Sequence, residues 1–402
     1  MIEVEGQQHR RFLYLYALAA AGGAVAYVPL LTVLLPVRIS EISGSGAEVA
    51  GLAWITLAGA LAASTSNILF GWLSDRTGHR RGWIASGLAL SSAFLVILPL
   101  AQSLPTVIVW VVVWQVGLNM MLAPLTAWAG DCVPDGQKGT LGGLLAFAPA
   151  LGAASGALVT IPGLASADAR LWLVAGLSAF MVLPVLVAGR PAPTPWLMRD
   201  PVDPDPDAPR GHLERRSAVI RMWIARLLVQ VAEAALFAYL LLWFVSIDPA
   251  MKDSDTARIF ALVLCLAVPL AILVGRWSDR TGRPIFPLVV CALGTSFGLM
   301  LMALARSLVP AVAGYVVFGL AATIFLSLHT SQTLRVLPKV RTRGRDMGVF
   351  NLTNTMPSLV MPWLALQLVP TFGFAGLFWL LASLAGLAAL LLLTLVRPQA
   401  RG

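Results

Sequence analysis

The sequence predicts an all-α polytopic membrane protein with twelve transmembrane helices in two six-helix, pseudo-symmetric halves. The first observation is composition: hydrophobic residues make up 58% of the 402-residue chain and charged residues 12%, whereas soluble domains carry about 25% charged residues. The second is a series of apolar runs near the roughly 20 residues that a helix needs to cross a bilayer. The third is a charged string at Gly71 that recurs at Gly275, as in membrane proteins built from two parallel repeats.

The predicted spans are apolar stretches separated by polar, proline or glycine breaks. They lie near residues 12–35, 49–73, 83–101, 106–128, 140–161, 171–189, 218–243, 257–277, 285–305, 309–331, 346–368 and 372–396. The widest interruption is rich in Pro, Asp and Arg and has too little apolar content to pack. We therefore expect an N-terminal six-helix bundle over residues 1–189, a cytoplasmic linker over 190–217 and a C-terminal six-helix bundle over 218–402.

The distribution of Lys and Arg predicts the orientation, because cationic loops remain on the cytoplasmic side. With both termini inside, the predicted inside segments and the span ends next to them hold 22 of the 28 Lys and Arg residues, and Arg226 is the one that falls deep within a span. We expect a multi-pass protein of the inner (plasma) membrane with both termini in the cytoplasm. The first apolar run lacks a nearby small-residue cleavage site and is predicted to be a retained helix.

Several classes of function are not expected. The net charge of +9 follows alternate loops, so it does not indicate a nucleic-acid partner. Cys132, Cys265 and Cys291 are too scattered for a metal site or a disulfide framework. A glycine-rich phosphate loop is lacking, which argues against direct ATP drive, and no pairing of nucleophile and base indicates an enzyme. We expect neither a metal nor another cofactor.

The repeated string places the same small and charged residues in both halves. The first copy has Gly71, Asp75, Arg76, Gly78, Arg80 and Arg81. The second copy keeps Gly275, Asp279, Arg280, Gly282 and Arg283 and departs at Pro284. A second element also recurs, since Pro134 and Pro338 are separated by the same 204 positions as Asp75 and Asp279. Gly71 would permit close helix approach, and Asp75 could interact with the positive end of a helix.

These strings resemble the loop between the second and third helices of the major facilitator superfamily, and the resemblance covers nearly the whole chain. It implies a secondary transporter in which this loop is part of a cytoplasmic gate. It also implies that Asp131 could interact with Arg76 or Arg80. Arg345 could pair with Asp75 in the same gate. The alternative is that these charges serve topology only, or hold lipid headgroups at the inner surface.

Residues 344–357 look like the eleventh helix of sugar-transporting branches, including the glycoside-pentoside-hexuronide symporters and sucrose-type carriers. This resemblance implies a sugar or glycoside as substrate. The loop after the second span lacks the more extended basic pattern of the melibiose-type symporters. The coupling ion therefore stays open between proton and sodium.

The seventh predicted span carries Arg226, Gln230 and Glu233 on one helical face. Ionisable groups inside a bilayer are costly and usually face a cavity or a partner. Glu233 is therefore a candidate site for proton or cation coupling, with Arg226 as a neighbour that tunes it. The alternative is a buried polar group that fixes helix packing.

Other polar side chains in the spans are candidates for substrate contacts. Trp114, Gln115 and Asn119 in the fourth span combine an aromatic ring with amides, which suits a sugar. Asn351 and Asn354 in the eleventh span form a similar polar face. Amides also bridge helices in membranes, so a packing role stays open. The candidate substrate-binding residues are Trp114, Gln115, Asn119, Gln230, Asn351 and Asn354.

Together these features predict a secondary transporter that moves a small polar solute by alternating access, coupled to a proton or sodium gradient. The expected partners are a small-molecule substrate, the coupling ion and membrane lipids, and the protein is expected to be monomeric. Two alternatives stay open. One is proton-driven export of amphipathic compounds, and the other is a transporter-like membrane scaffold or assembly factor without flux.

Overall fold

The computed structural model describes residues 6–42, 48–161, 163–198, 209–337 and 340–396. Its regular elements over these residues are helices. The α-helices are α1 (Arg10–Pro29), α2 (Leu35–Ile42), α3 (Glu48–Thr77), α4 (Arg80–Ile97), α5 (Leu104–Cys132), α6 (Lys138–Leu145), α7 (Phe147–Val159), α8 (Ala167–Ala188), α9 (Pro209–Ile247), α10 (Asp253–Thr281), α11 (Phe286–Leu304), α12 (Leu308–Val336) and α13 (Arg343–Leu393). Residues 199–208 of the predicted linker lie outside the described residues, and α9 begins within that linker.

Most of these helices are long and apolar enough to cross a membrane. Ten meet this description, or eleven when the bent pair Ser217–Leu236 and Tyr239–Ile247 of α9 is counted as one span. The first part of α13, residues 343–372, is another helix of membrane-spanning length. Over the described residues, ten or eleven helices are therefore both long and apolar enough to span, against the twelve spans that the sequence predicts.

Glycines with a positive φ mark where three of the helices end or break. Gly78 has φ 68° just after α3, and Gly282 has φ 63° just after α10. Both are the second glycine of the repeated string, so each copy ends its helix in the left-handed conformation that glycine adopts without steric cost. Gly373, with φ 65°, breaks α13 at the start of the predicted span of residues 372–396, just after the predicted span of residues 346–368.

The chain forms two compact units. Unit 1 comprises Met1–Pro134, Phe147–Asp200 and Lys339–Leu352. Unit 2 comprises Asp135–Ala146, Pro201–Pro338 and Thr353–Gly402. Each unit therefore contains one short segment from the opposite half of the sequence, and these two segments are themselves equivalent in the repeat. The sequence patterns do not indicate this exchange.

The segment that joins unit 2 ends at a proline-induced break. The predicted fifth span, residues 140–161, consists of two helices, α6 and α7. Pro149 has no N–H to donate to the carbonyl of Leu145 four residues earlier, so α6 ends at Leu145. Of these two helices, α6 belongs to unit 2 and α7 to unit 1.

Candidate functional site

In unit 1, Asp75 caps the first turn of α13. Its Oδ1 accepts a hydrogen bond from the backbone N–H of Gly344 at 2.9 Å, and its Oδ2 accepts from the N–H of Arg345, also at 2.9 Å. The first N–H groups of a helix have no partner within the helix, and the helix dipole favours a negative charge there. The carboxylate thus satisfies two donors that would otherwise be unpaired.

In unit 2, Asp279 makes the equivalent contacts with α6. Its Oδ1 accepts from the N–H of Gly139 at 2.8 Å, and its Oδ2 accepts from the N–H of Thr140 at 2.6 Å. The Thr140 hydroxyl also donates to Oδ2 at 2.7 Å. Both copies of the string therefore place an aspartate on the start of a helix that the same unit draws from the other half of the chain.

A glycine pair lies beside each of these caps. A Cβ added to Gly71 would come within 3.0 Å of the Gly344 carbonyl oxygen, and one added to Gly275 would do the same at Gly139. The two backbones are therefore in contact, which any side chain would prevent. We call Gly71, Asp75, Gly344 and Arg345 the unit 1 clamp. Gly275, Asp279, Gly139 and Thr140 form the unit 2 clamp.

The unit 1 clamp is extended by a chain of buried ion pairs. Arg80 contacts Asp75 at 2.6 Å and Asp131 at 2.9 Å, and it also donates to the Ser74 hydroxyl at 2.5 Å. Arg343 contacts the other oxygen of Asp131 at 2.8 Å. The four charged side chains are at most 10% exposed. Removing one member of such a buried pair would leave its partner as an uncompensated charge.

The unit 2 clamp obtains its cation from a different element. Pro284 stands where the first copy has Arg80, and Arg335 of α12 stands where the first half has Asp131. Arg335 contacts Asp279 at 3.1 Å. Arg335 also donates to the carbonyl oxygen of Asp135. The loss of one arginine from the string is thus accompanied by a new arginine on the neighbouring helix.

The remaining residues of the string lie at the surface. The guanidinium of Arg76 is 5.5 Å from the Trp72 ring centroid, and that of Arg81 is 5.7 Å from the Trp128 ring centroid. Arg280 and Arg283 are exposed. Of the two partners considered for Asp131, the structure brings Arg80 to it. Arg345 meets Asp75 through its backbone N–H, because its side chain pairs with Asp346 at 2.9 Å.

Arg343 and Gln8 contribute to this region and were not among the predicted site residues. The Arg343 contact lacks a sequence signal of its own, because Lys138, which precedes Gly139 as Arg343 precedes Gly344, pairs with Asp135 instead. Gln8 is 2% exposed. Its amide donates to the carbonyl of Cys132 at 2.9 Å and accepts from the N–H of Ala192 at 2.7 Å. It therefore joins the end of α5 to the segment after α8.

The predicted polar residues of α5 are buried in unit 1. Trp114, Gln115 and Asn119 are 2%, 8% and 4% exposed. Asn119 donates to the Gln115 carbonyl at 2.9 Å and accepts from Asn67 of α3 at 2.9 Å. This amide contact joins α3 to α5, and Asn67 was not among the predicted residues although it is an isolated amide in an apolar span. A substrate role for the three α5 residues stays a prediction.

The polar residues of α9 form a cluster in unit 2, which we call the α9 cluster: Arg226, Gln230 and Glu233. Gln230 donates to the Glu233 carboxylate at 2.6 Å. Gln230 Oε1 is buried, and the described residues offer it no hydrogen-bond donor. All three side chains are half-buried.

Arg226 is held by neutral groups of α12 and α13. It donates to the Thr353 hydroxyl at 3.1 Å, the Leu326 carbonyl at 3.2 Å, the Thr330 hydroxyl at 3.1 Å and the Asn354 side-chain oxygen at 3.2 Å. Asn354 is exposed. Asn351, its predicted companion, is half-buried and belongs to unit 1. The structure thus joins Asn354 to the α9 cluster.

Comparison with known proteins decides the family. The sequence model of the Major Facilitator Superfamily matches residues 12–339 and 222–402, which together cover nearly the whole chain. The chain belongs to the major facilitator superfamily. No curated protein sequence matches it significantly.

Solved structures of other major facilitator proteins share this fold. The human organic anion transporter MFSD10 (TETRAN) has a TM-score of 0.75 at 16% identity, over 95% of this chain and 99% of that one. The proton:xylose symporter XylE, bound to 6-bromo-6-deoxy-D-glucose, has a TM-score of 0.73 at 14% identity, over 96% of each chain. A bacterial homologue of the iron transporter ferroportin, in an outward-facing state, has a TM-score of 0.71 at 13% identity, over 96% of this chain and 98% of that one.

The major facilitator assignment establishes the general activity. The protein is a multi-pass membrane transporter of small molecules and not an enzyme. At these identities, the solved structures bear on the fold alone. The identity of the solute must therefore be argued from the side chains of this chain.

Proposed function

We propose that this transporter moves a small polar solute of the sugar or glycoside class, coupled to a proton or sodium gradient. The α9 cluster carries this proposal. Gln230 has a buried amide oxygen that the described protein groups leave without a donor, and buried polar atoms rarely stay unpaired. A solute hydroxyl can supply that donor. The same glutamine holds the carboxylate of Glu233 at 2.6 Å.

Glu233 is the coupling residue in this proposal. A carboxylate within a membrane-spanning helix is costly, so it takes up a proton or a cation readily when the site is open to one side. Because Gln230 contacts both Glu233 and the proposed solute position, occupation of one site alters the other. Such differential binding is what couples two ligands.

The two clamps supply the proposed gate. Each clamp joins a helix of one half of the sequence to a segment from the other half, through backbone contacts and buried charges. Alternating access requires such contacts to form in one state and break in another. The charge distribution supports placing the clamps, and both termini, on the cytoplasmic side of the inner membrane. A reporter fused after Gly402 tests this orientation, and a periplasmic signal would contradict it.

The test of coupling uses purified full-length protein in liposomes with an imposed proton or sodium gradient. We expect labelled sugar to accumulate under one of the two gradients. Glu233→Gln should abolish accumulation but retain exchange of labelled for unlabelled solute, because the amide keeps the shape and removes the charge. Asp168→Asn, at an exposed carboxylate in the first turn of α8, is the control and should accumulate normally.

Two outcomes would contradict the proposal. If Glu233→Gln accumulates solute as the unmodified protein does, Glu233 is not the coupling residue. If no labelled sugar moves under either gradient, sugar transport itself is wrong. An amphipathic panel in the same liposomes then tests export, and lack of any flux would favour a scaffold.

A further inference from the structure

The end of α5, which carries Asp131, is covered by two segments from outside the helix. Gln8, which precedes α1, donates to the carbonyl of Cys132 at 2.9 Å. Thr194, in the segment after α8, donates through its hydroxyl to the backbone carbonyl of Asp131 at 3.1 Å. The last carbonyls of a helix have no partner within that helix. Gln8 and Thr194 therefore supply donors that the end of α5 needs.

Gln8 also joins these two segments to each other. Its side-chain oxygen accepts from the N–H of Ala192 at 2.7 Å, and its amide nitrogen donates to the carbonyl of the same residue at 3.3 Å. A Cβ added to Gly6 would lie 3.2 Å from the ring of Trp196, so the segments are in contact there as well. The start of the chain and the segment after α8 thus form one structure around the end of α5.

Residues 6–9 and 190–198, which we call the collar, also reach the ion pairs beside the unit 1 clamp. The carbonyl of Leu197 accepts from Nη2 of Arg343 at 3.5 Å, while Nη1 of the same guanidinium contacts Asp131 at 2.8 Å. The collar therefore contacts both partners of this ion pair. It holds the aspartate through the backbone of α5 and the arginine through its side chain.

The corresponding end of α12 in unit 2 is tied differently. The carbonyl of Leu334 accepts from Nζ of Lys138 at 3.4 Å, and Arg335 donates to the carbonyl of Asp135. Lys138 and Asp135 belong to the short segment that unit 2 draws from the other half of the sequence, so these contacts are lost whenever that segment leaves. The collar contacts of α5 come from its own half of the sequence and do not depend on the exchanged segment of unit 1.

We infer that Gln8 is a positioning residue of the proposed gate, which acts through the collar to hold Asp131 where Arg343 and Arg80 can reach it. This inference rests on the gate of the proposed function. Gln8 is 2% exposed, and both ends of its amide are engaged. Charge-assisted hydrogen bonds depend on distance and direction. A displaced end of α5 would therefore weaken both ion pairs that share Asp131.

A reporter thiol on α13 measures opening of the unit 1 clamp without any solute. Met347 lies in the part of α13 that belongs to unit 1 and is 7% exposed. Met347→Cys is introduced into full-length protein whose Cys132, Cys265 and Cys291 are replaced by Ser. Its alkylation by N-ethylmaleimide is then timed in liposomes. A buried thiol reacts when its segment opens, so the rate reports how often this part of α13 leaves its packed position.

Two substitutions and their combination decide whether Gln8 acts through the ion pair. Gln8→Met removes the hydrogen bonds of the amide and keeps the length of the side chain, and it should raise the alkylation rate five-fold or more. Arg343→Gln should raise it at least as much. Because both changes weaken the same contact, the double variant should exceed the faster single variant by no more than two-fold.

Gln7→Met is the matched control, because it changes the same residue type at the adjacent and exposed position. Its alkylation rate should stay within two-fold of that of the reporter protein. If Gln8→Met does not fold, Gln8→Glu replaces it, since a carboxylate can still accept from Ala192 but cannot donate to Cys132. The same five-fold increase is expected.

Two results would overturn the inference. A rate for the Gln8 variant within two-fold of the reporter protein would show that the collar does not position the ion pair. An increase in the double variant equal to the product of the two single increases would show that Gln8 stabilises the fold independently of Arg343. Because the assay contains no solute, its result does not depend on whether sugars are transported.

Discussion

The unit 1 clamp is extended by a continuous chain of two aspartates and two arginines, from Asp75 through Arg80 and Asp131 to Arg343. In the unit 2 clamp, Asp279 contacts one arginine among the described residues, Arg335. The helix caps are nevertheless the same, because both aspartates accept two backbone N–H groups of a helix start. The comparison teaches that the backbone contacts were retained after duplication while the source of the cation changed.

A physical reason explains this division. A helix start presents its N–H groups in a fixed geometry, so the carboxylate that satisfies them must come from one position. A guanidinium is long and flexible and can reach the same carboxylate from several elements. Arg80 comes from the start of α4 and Arg335 from the end of α12, and both reach the capping aspartate.

The largest loss of stability expected from this comparison follows substitution of Asp131. Asp131→Ala leaves Arg80 and Arg343, with side chains 10% and 8% exposed, without the carboxylate that they share. Removing one partner of a buried ion pair costs about 3–5 kcal/mol. The change at the equivalent position, Arg335→Ala, should lower the free energy of unfolding by less, about 1.5–3 kcal/mol, because Asp279 keeps the donors of Gly139 and Thr140.

Thermal unfolding of the two variants in detergent measures this difference. Asp131→Asn serves as an intermediate, because it retains acceptor oxygen and loses the charge. Equal losses for Asp131→Ala and Arg335→Ala would contradict the view that the two clamps depend differently on their ion pairs.

Smaller losses of stability, equal in the two units, are expected when the capping aspartates are changed. Asp75→Asn and Asp279→Asn each replace one acceptor oxygen with an amide NH₂, which cannot accept from the helix start, and each removes the charge that the helix dipole favours. We expect either change to lower the free energy of unfolding by about 1–2 kcal/mol. If the clamps form the proposed gate, both changes should also slow transport in liposomes.

Transport by Asp75→Asn at the unmodified rate, with equal amounts of protein in the membrane, would remove the proposed gate role. A marked difference between the two variants in thermal unfolding would show that the caps are not equivalent. Either result would limit the comparison to the geometry of the backbone.

The sequence predicts much of this arrangement, and the limits have physical causes. The 204-residue repeat places Asp75 and Asp279 in equivalent positions, and a carboxylate at a helix start was expected for Asp75. Hydropathy does not reveal the break between α6 and α7, because both sides of the break are apolar. Periodicity also places Gln115 and Asn119 on a polar face, but it does not distinguish a face that meets another amide, here Asn67, from one that meets a ligand.

The smallest predicted effect tests whether the cation can be moved back into the string. Arg335→Asp recreates the acid that the first half has at Asp131, and it places a second carboxylate beside Asp279 without a cation. Pro284→Arg recreates the arginine of the first copy. We expect Arg335→Asp to lower the midpoint of thermal unfolding. The double variant Arg335→Asp with Pro284→Arg should recover part of the loss, with a coupling free energy between the two substitutions of about 1 kcal/mol.

The recovery should be partial, because Pro284 is part of the turn after α10 and an arginine there adds conformational freedom to the unfolded chain. Pro284→Ala in the Arg335→Asp background is the control for that loss of proline, and it should not recover stability. If Pro284→Ala recovers as much as Pro284→Arg, the gain comes from the turn and not from the charge. The two clamps would then differ for reasons other than the position of their arginine, and the retained helix caps alone would connect them.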